Sequence, residues 1–306
     1  MFREFAVPDQ ASSVGLASLL ASASVEISSH GHQLGELKDH FAAGTEVTIT
    51  FLPGDNYRHN IETASALRRA GFNPVPHIAA REIASREALD DFLARLRGEA
   101  DVWRALLIAG DVAGARGPFK SSGDVRASGL LQTHDIAHVS VAGHPEGHPY
   151  LDEAGMFMVL GAWRDWGRET NTRVDIVTQF CFESAPILSL IGKLKAHGID
   201  LPVIVGLAGP ATPATLTRFA LRCGIGNSMR ALRGQIGRYG RLLTDTGPDD
   251  VVRGLAAAPH PATETIAGFH LFPFGGLRKA RNWLHGYPQE ALSQKCEAAS
   301  AHVQNP

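Results

Sequence analysis

The chain has 306 residues, 44% of them hydrophobic and 20% charged, the profile of an ordinary globular enzyme. A formal net charge of -2 leaves no global field to draw in nucleic acid or anionic lipid. Three scattered cysteines, Cys181, Cys223 and Cys296, have no CxxC spacing, which argues against a disulfide framework and a cysteine-built zinc site and for a reducing compartment. No segment carries the ~18 uninterrupted apolar residues of a membrane span, so a cytoplasmic location is expected.

In chain order, the small apolar stretch Ala11–Ala23 follows Arg3, Glu4 and Asp9 rather than a basic run. It predicts a short helix closing one end of the domain, not a signal peptide. Strands are predicted at Ser24–Ser28, Glu46–Phe51, Pro74–Ile78, Ala105–Ala109, Ala137–Ala142, Val174–Phe180, Pro202–Leu207 and Gly268–Phe272. Amphipathic stretches lie between them at Tyr57–Ala70, Arg86–Leu96, Asp152–Arg168, Ala185–His197 and Pro213–Arg222. The alternation predicts parallel strands joined by helical crossovers. Eight such strands predict a closed (β/α)8 TIM barrel, which needs roughly 250 residues. The whole chain then forms one domain, with a polar tail from about residue 286. The interval before the last strand is longer than the others and predicts extra helices around Asn227–Tyr239 and Asp249–Ala258.

A barrel of this kind builds its active site at the carboxyl ends of its strands, and polar residues collect there. Strand 1 carries Glu26 and ends near His30 and His32; strand 2 carries Thr50; strand 3 ends at His77. Strand 4 runs into Gly110-Asp111, strand 5 into His144-Pro-Glu-Gly-His148-Pro, strand 6 into Gln179, and strand 7 into the turn Gly206–Pro210. Each has a plainer reading alone: Glu26 as a partnered buried acid, Asp111 as a turn cap, Thr50 as an ordinary strand residue. Gathered at one end of most strands, they favour an enzyme.

His30-Gly-His32 after strand 1 is similar to the paired histidines of metal-dependent amidohydrolases. Such a site also needs a metal-bridging lysine or similar acid after strand 4, histidines after strands 5 and 6 and an aspartate after strand 8, whereas strand 4 ends Ala-Gly-Asp, strand 6 in Gln, and strand 8 lacks an acid. No metal is therefore expected. Gly275-Gly276 could offer backbone N–H groups to a phosphate, or could simply open a helix.

Asp175-Ile-Val-Thr-Gln-Phe-Cys-Phe-Glu183 resembles strand 6 of the methylenetetrahydrofolate reductases. Val25-Glu26, Pro76-His77, Gly110-Asp111, the His144–Pro149 segment, Pro202-Val-Ile-Val-Gly206 and Gly268-Phe-His-Leu-Phe272 follow the same family in order, from about Ser24 to Trp283. The resemblance implies reduction of 5,10-methylenetetrahydrofolate to 5-methyltetrahydrofolate with NADH or NADPH, through bound FAD. It makes Glu26 the acid that delivers a proton to N10, and Asp111 a second catalytic carboxylate close to both the flavin and the cation forming on the folate. Asp111 and Gln179 would bind the pterin, Phe219 would stack on the p-aminobenzoate or the nicotinamide, and Arg278 would lie near the folate tail. Thr50, His77, Gly110, Asp111, Ala127, His144, His148 and Arg168 fall at FAD contacts.

The chain departs from the family where Arg-Gly-Asp becomes Ala109-Gly110-Asp111, where Ile27-Ser-Ser-His follows Glu26, and where His144 stands for a tyrosine. The loop Gly114–Ser128 also aligns poorly, apart from Ala127-Ser128. Two alternatives stay open: a flavin-independent folate reductase, and a folate-binding barrel that serves a methyltransferase partner. A homo-oligomer is compatible with either.

Overall fold

The structure, a computed structural model, describes residues 15–30, 33–148, 150–223 and 245–287. Eight parallel strands close into a barrel in sequential order, β1 pairing with both β2 and β8. They are β1 (Ser24–Ile27), β2 (Glu46–Ile49), β3 (Asn73–Ala79), β4 (Arg104–Ile108), β5 (His138–Gly143), β6 (Arg173–Thr178), β7 (Val203–Ala208) and β8 (Ile266–Phe272). The expected TIM barrel is thus the fold, and each predicted strand overlaps an observed one.

The helices are α1 (Leu16–Ala21), α2 (Leu34–His40), α3 (Tyr57–Arg69), α4 (Arg86–Ala100), α5 (Ser122–Ala127), α6 (Leu130–Thr133), α7 (Glu153–Thr170), α8 (Ala185–Ala196), α9 (Pro213–Arg222), α10 (Asp249–Ala257), α11 (His260–Thr263) and α12 (Leu277–Gly286). Local chemistry explains their starts. Asn56, Ser85, Asp152 and Thr212 each accept a backbone N–H of the first turn of α3, α4, α7 and α9. Asp101 and Asn171, in the left-handed region at φ 46° and 51°, stop α4 and α7. The expected helix near the N-terminus is α1, and Asp249–Ala258 is matched by α10. Asn227–Tyr239, His32 and the tail beyond Tyr287 lie outside the described residues.

Alternation along each strand divides the interior in two. Val25, Ile27, Val47, Ile49, Ala105, Leu107, Val139, Val141, Val203 and Val205 face outward and are buried with the helices in the main core. The lumen is layered. Its amino-terminal end holds a buried polar group: Arg104, His138, Ser140 and Asp175, with Glu46 at the edge. Above it Val75, Leu106 and Val177, flanked by Ile108 and Ile204, form an apolar layer. That layer closes the lumen from below, so polar residues above it face only the carboxyl-terminal mouth.

Candidate active site

Glu26 stands in the lumen above this apolar layer, its side chain 16% exposed. Two imidazoles bracket it: His77 from β3 has Nε2 3.6 Å from Oε2, and His270 from β8 has Nε2 3.9 Å from the same oxygen. Ser24 fixes His270 from below through a contact of 2.8 Å between Oγ and Nδ1. Both Nε2 atoms are buried with no hydrogen-bond partner among the described residues. Burial lowers the His77 pKa to about 4 against the opposing pull of Glu26. The imidazole is therefore neutral at physiological pH, and its contact with Glu26 is a dipole beside a carboxyl group, not an ion pair.

Asp111 follows Gly110 at the end of β4 and is exposed. Gly110 takes φ 92°, which suits glycine and turns the chain out of the strand. Three groups tie this loop to the lumen electrostatically: Asp111, Glu26 and His270 all act on His77. Asp111 and Glu26 also act on Cys223, which follows α9 and whose thiol is pushed up to about 11, chiefly by burial. Gln179, at the end of β6, donates its backbone N–H to Gly143 at 2.8 Å, while its Oε1 accepts from Phe180 N–H at 3.1 Å.

The other expected contacts divide. Thr50, one residue past β2, has a buried Oγ1 with no hydrogen-bond partner among the described residues. His144 and His148 pack edge to face at 4.6 Å between ring centroids, and burial lowers the His144 pKa to about 4. Ala127 ends α5 and is exposed. Phe219 stacks on Phe274 at 4.1 Å, inside an aromatic cluster that includes Phe180 and Phe272. Arg278 is exposed at the start of α12, where its backbone N–H donates to Glu36 Oε1 at 3.1 Å.

Arg168 is a correction. It lies in the last turn of α7 and binds Asp200, just before β7, at 2.7 Å. That is the amino-terminal end of the barrel, a helix length away from the mouth, so Arg168 is no part of this site.

No family model matches the chain. In fold it is similar to three solved barrels. Deoxyribose phosphate aldolase from Aeropyrum pernix, described as tetrameric, shares 11% identity over 89% of this chain and 93% of that one, at a TM-score of 0.48. Dihydropteroate synthase from Thermus thermophilus shares 16% identity over 87% and 92%, at 0.43. D-Psicose 3-epimerase from Clostridium cellulolyticum shares 12% over 91% and 97%, at 0.40. At such identities the likeness concerns the barrel alone.

Sequence reasoning missed two neighbours of Glu26. Cys223 was read only as a redox marker, and His270 only as part of the β8 motif. Lumen parity could have exposed His270, since it alternates with Gly268 and Phe272, but its place opposite Ser24 depends on the closing register of the barrel.

Of the histidines following β1 and β5, His30, His144 and His148 are described. His30 has Nε2 3.7 Å from Asp55 and its ring 6.1 Å from His59, beside a cavity of about 330 Å³ between α2 and α3. Among the described residues no group of three or more His, Cys, Asp or Glu could hold a metal ion. Exhaustive chelation is expected to leave turnover unchanged. Loss of turnover with recovery on adding zinc would restore the hydrolase reading.

Proposed function

We propose that this protein is an enzyme that reduces 5,10-methylenetetrahydrofolate to 5-methyltetrahydrofolate with NADH or NADPH as electron source. The observation that carries the reading is the lumen acid Glu26, set between two imidazoles, one of which also feels the charge of Asp111. In the reaction the bond between the one-carbon unit and N10 breaks, N10 takes a proton, and the carbon accepts a hydride. The overall balance is one methylenetetrahydrofolate, one NAD(P)H and one proton giving one methyltetrahydrofolate and one NAD(P)⁺. Glu26 delivers the proton to N10. Asp111 faces the positive charge that develops as the ring opens and stabilises it electrostatically. Gln179, at the rim, supplies an amide able both to donate to and accept from the pterin. With His77 neutral, that imidazole adds no positive charge against the one that develops.

FAD fits the site in part. The orphaned Thr50 Oγ1 and His77 Nε2 offer buried polar partners at the ring end, and Gly110 lets the backbone come close. Arg168, expected at an FAD contact, binds Asp200 at the other end of the barrel instead. When bound, FAD would take hydride from the nicotinamide and pass it to the folate carbon. Protein purified with added FAD should show bound absorbance at about 450 nm, bleached anaerobically by NAD(P)H and restored by methylenetetrahydrofolate. Turnover in rigorously flavin-free protein would remove FAD and leave the folate reading. A bleached flavin that methylenetetrahydrofolate fails to reoxidise would contradict the folate reading.

No helix among the described residues is long and apolar enough to cross a membrane.

A further inference from the structure

The loop after β4, which carries Asp111, has no secondary structure from residue 109 to 121, yet it is fastened along its length to the segment after β3. Arg81 N–H donates to Ala109 O at 2.9 Å, and Arg116 N–H donates to Arg81 O at 2.8 Å. The Arg81 guanidinium donates through Nε to Lys120 O at 3.0 Å and through an NH1 nitrogen to Val112 O at 3.4 Å. One side chain thus holds the loop next to Asp111 and again at its far end.

Glu82 adds a charge to the same junction. It is 7% exposed. Arg116 Nε lies 3.1 Å from its Oε2, while among the described residues neither carboxylate oxygen has a hydrogen bond. A buried carboxylate held chiefly by a cation from the loop makes detachment costly, because release would strand the charge. Glycine serves this junction twice, at Gly110 for its φ of 92° and at Gly117 for a close approach. A side chain at Gly110 would meet Ala79 and Arg81, and one at Gly117 would collide with the carbonyls of Ile83 and Ala84. This is the stretch where the sequence departs from the reductase pattern.

We infer that Arg81 and Glu82 are positioning residues for Asp111, clamping the β4 loop so that its carboxylate stays over the lumen beside Glu26. The inference rests on the folate reading given above. A clamp that sets one carboxylate acts only through it. Misplacing a catalytic group by about 1 Å can cost up to about 10²-fold, and that loss should vanish once Asp111 has lost its charge.

The test combines amide hydrogen exchange with a double-mutant cycle on the full chain. Arg81→Ala should speed exchange within residues 112–120 while leaving the strands protected, and should lower folate reduction by roughly ten- to a hundredfold at unchanged KM for NAD(P)H. Adding Arg81→Ala to Asp111→Asn should cost almost nothing further, since coupled residues are non-additive. Should Arg81→Ala fold poorly, Glu82→Gln, which frees Arg116, carries the same expectations. Unchanged loop exchange, or losses that multiply fully in the double variant, would overturn the clamp while the wild-type enzyme still reduced folate. Wild-type protein inactive on methylenetetrahydrofolate would instead overturn the functional reading, and with it the role of Asp111.

Discussion

Glu26→Gln is expected to remain folded and to lose about 10²–10⁴-fold in folate reduction, the usual contribution of a positioned acid. Stability should be nearly untouched, because the closest imidazoles stand 3.6 and 3.9 Å away and no short hydrogen bond is broken. The amide keeps the size of the side chain and removes only the transferable proton. If FAD is bound, its reduction by NAD(P)H should run at close to the wild-type rate, since that half-reaction opens no ring. Rapid mixing separates the two halves. Folate reduction within a few-fold of wild type in folded Glu26→Gln would refute the assignment. Equal loss in both halves together with a lowered melting point would mean a structural acid.

The second large effect belongs to the other end of the barrel. Asp175 is fully buried and receives Arg104 at 3.0 Å and His138 at 2.7 Å; Arg104 also binds Glu46 and Ser140. Burial alone would raise the Asp175 pKa, but Arg104 and then His138 outweigh it and hold the group well below its ordinary value of 3.8. Asp175→Asn leaves Arg104 buried with Glu46 as its remaining ion-pair partner among the described residues. Breaking a buried pair in this way costs about 3–5 kcal/mol. At roughly 2 °C per kcal/mol for a large domain, the melting point should fall by about 6–10 °C. A folded-state pKa below the unfolded one means that the stabilisation is complete above 3.8 and is lost as pH falls through the lower value. Wild type and variant should therefore differ fully at neutral pH and converge only in strong acid. Turnover of the folded variant should be normal, because the apolar layer separates this group from the mouth. An unchanged melting point would mean that the network merely offsets its own desolvation.

Much of the fold could be read from the chain because strand and helix periods alternate cleanly. Each strand was expected within a few residues of its place, and Pro213–Arg222 matches α9 end to end. Shorter helices escaped notice: α2, α5 and α6 have seven, six and four residues, too few to display a period of 3.6. Arg168 shows how linear reasoning misleads about a site. It sits in the same post-β5 stretch as His148, but the 18-residue α7 intervenes. At about 1.5 Å per residue that helix carries its last turn roughly 27 Å away, to the far end of the barrel. Asp175 is a related case, since it lies in the very run that singled out Gln179. Only the lumen layering separates the two: Asp175 faces the sealed end and Gln179 the open one. The clamp on Asp111 was illegible because the Arg81 side chain meets backbone carbonyls more than thirty residues away, which no residue pattern records.

The most direct measurement supplies purified protein with 5,10-methylenetetrahydrofolate and NADH or NADPH without oxygen, with and without added FAD, and quantifies the folate products by mass. The expected result is 5-methyltetrahydrofolate formed in equal amount to the NAD(P)H consumed. Methylenetetrahydrofolate left intact with either donor, by folded protein with or without FAD, would contradict the account.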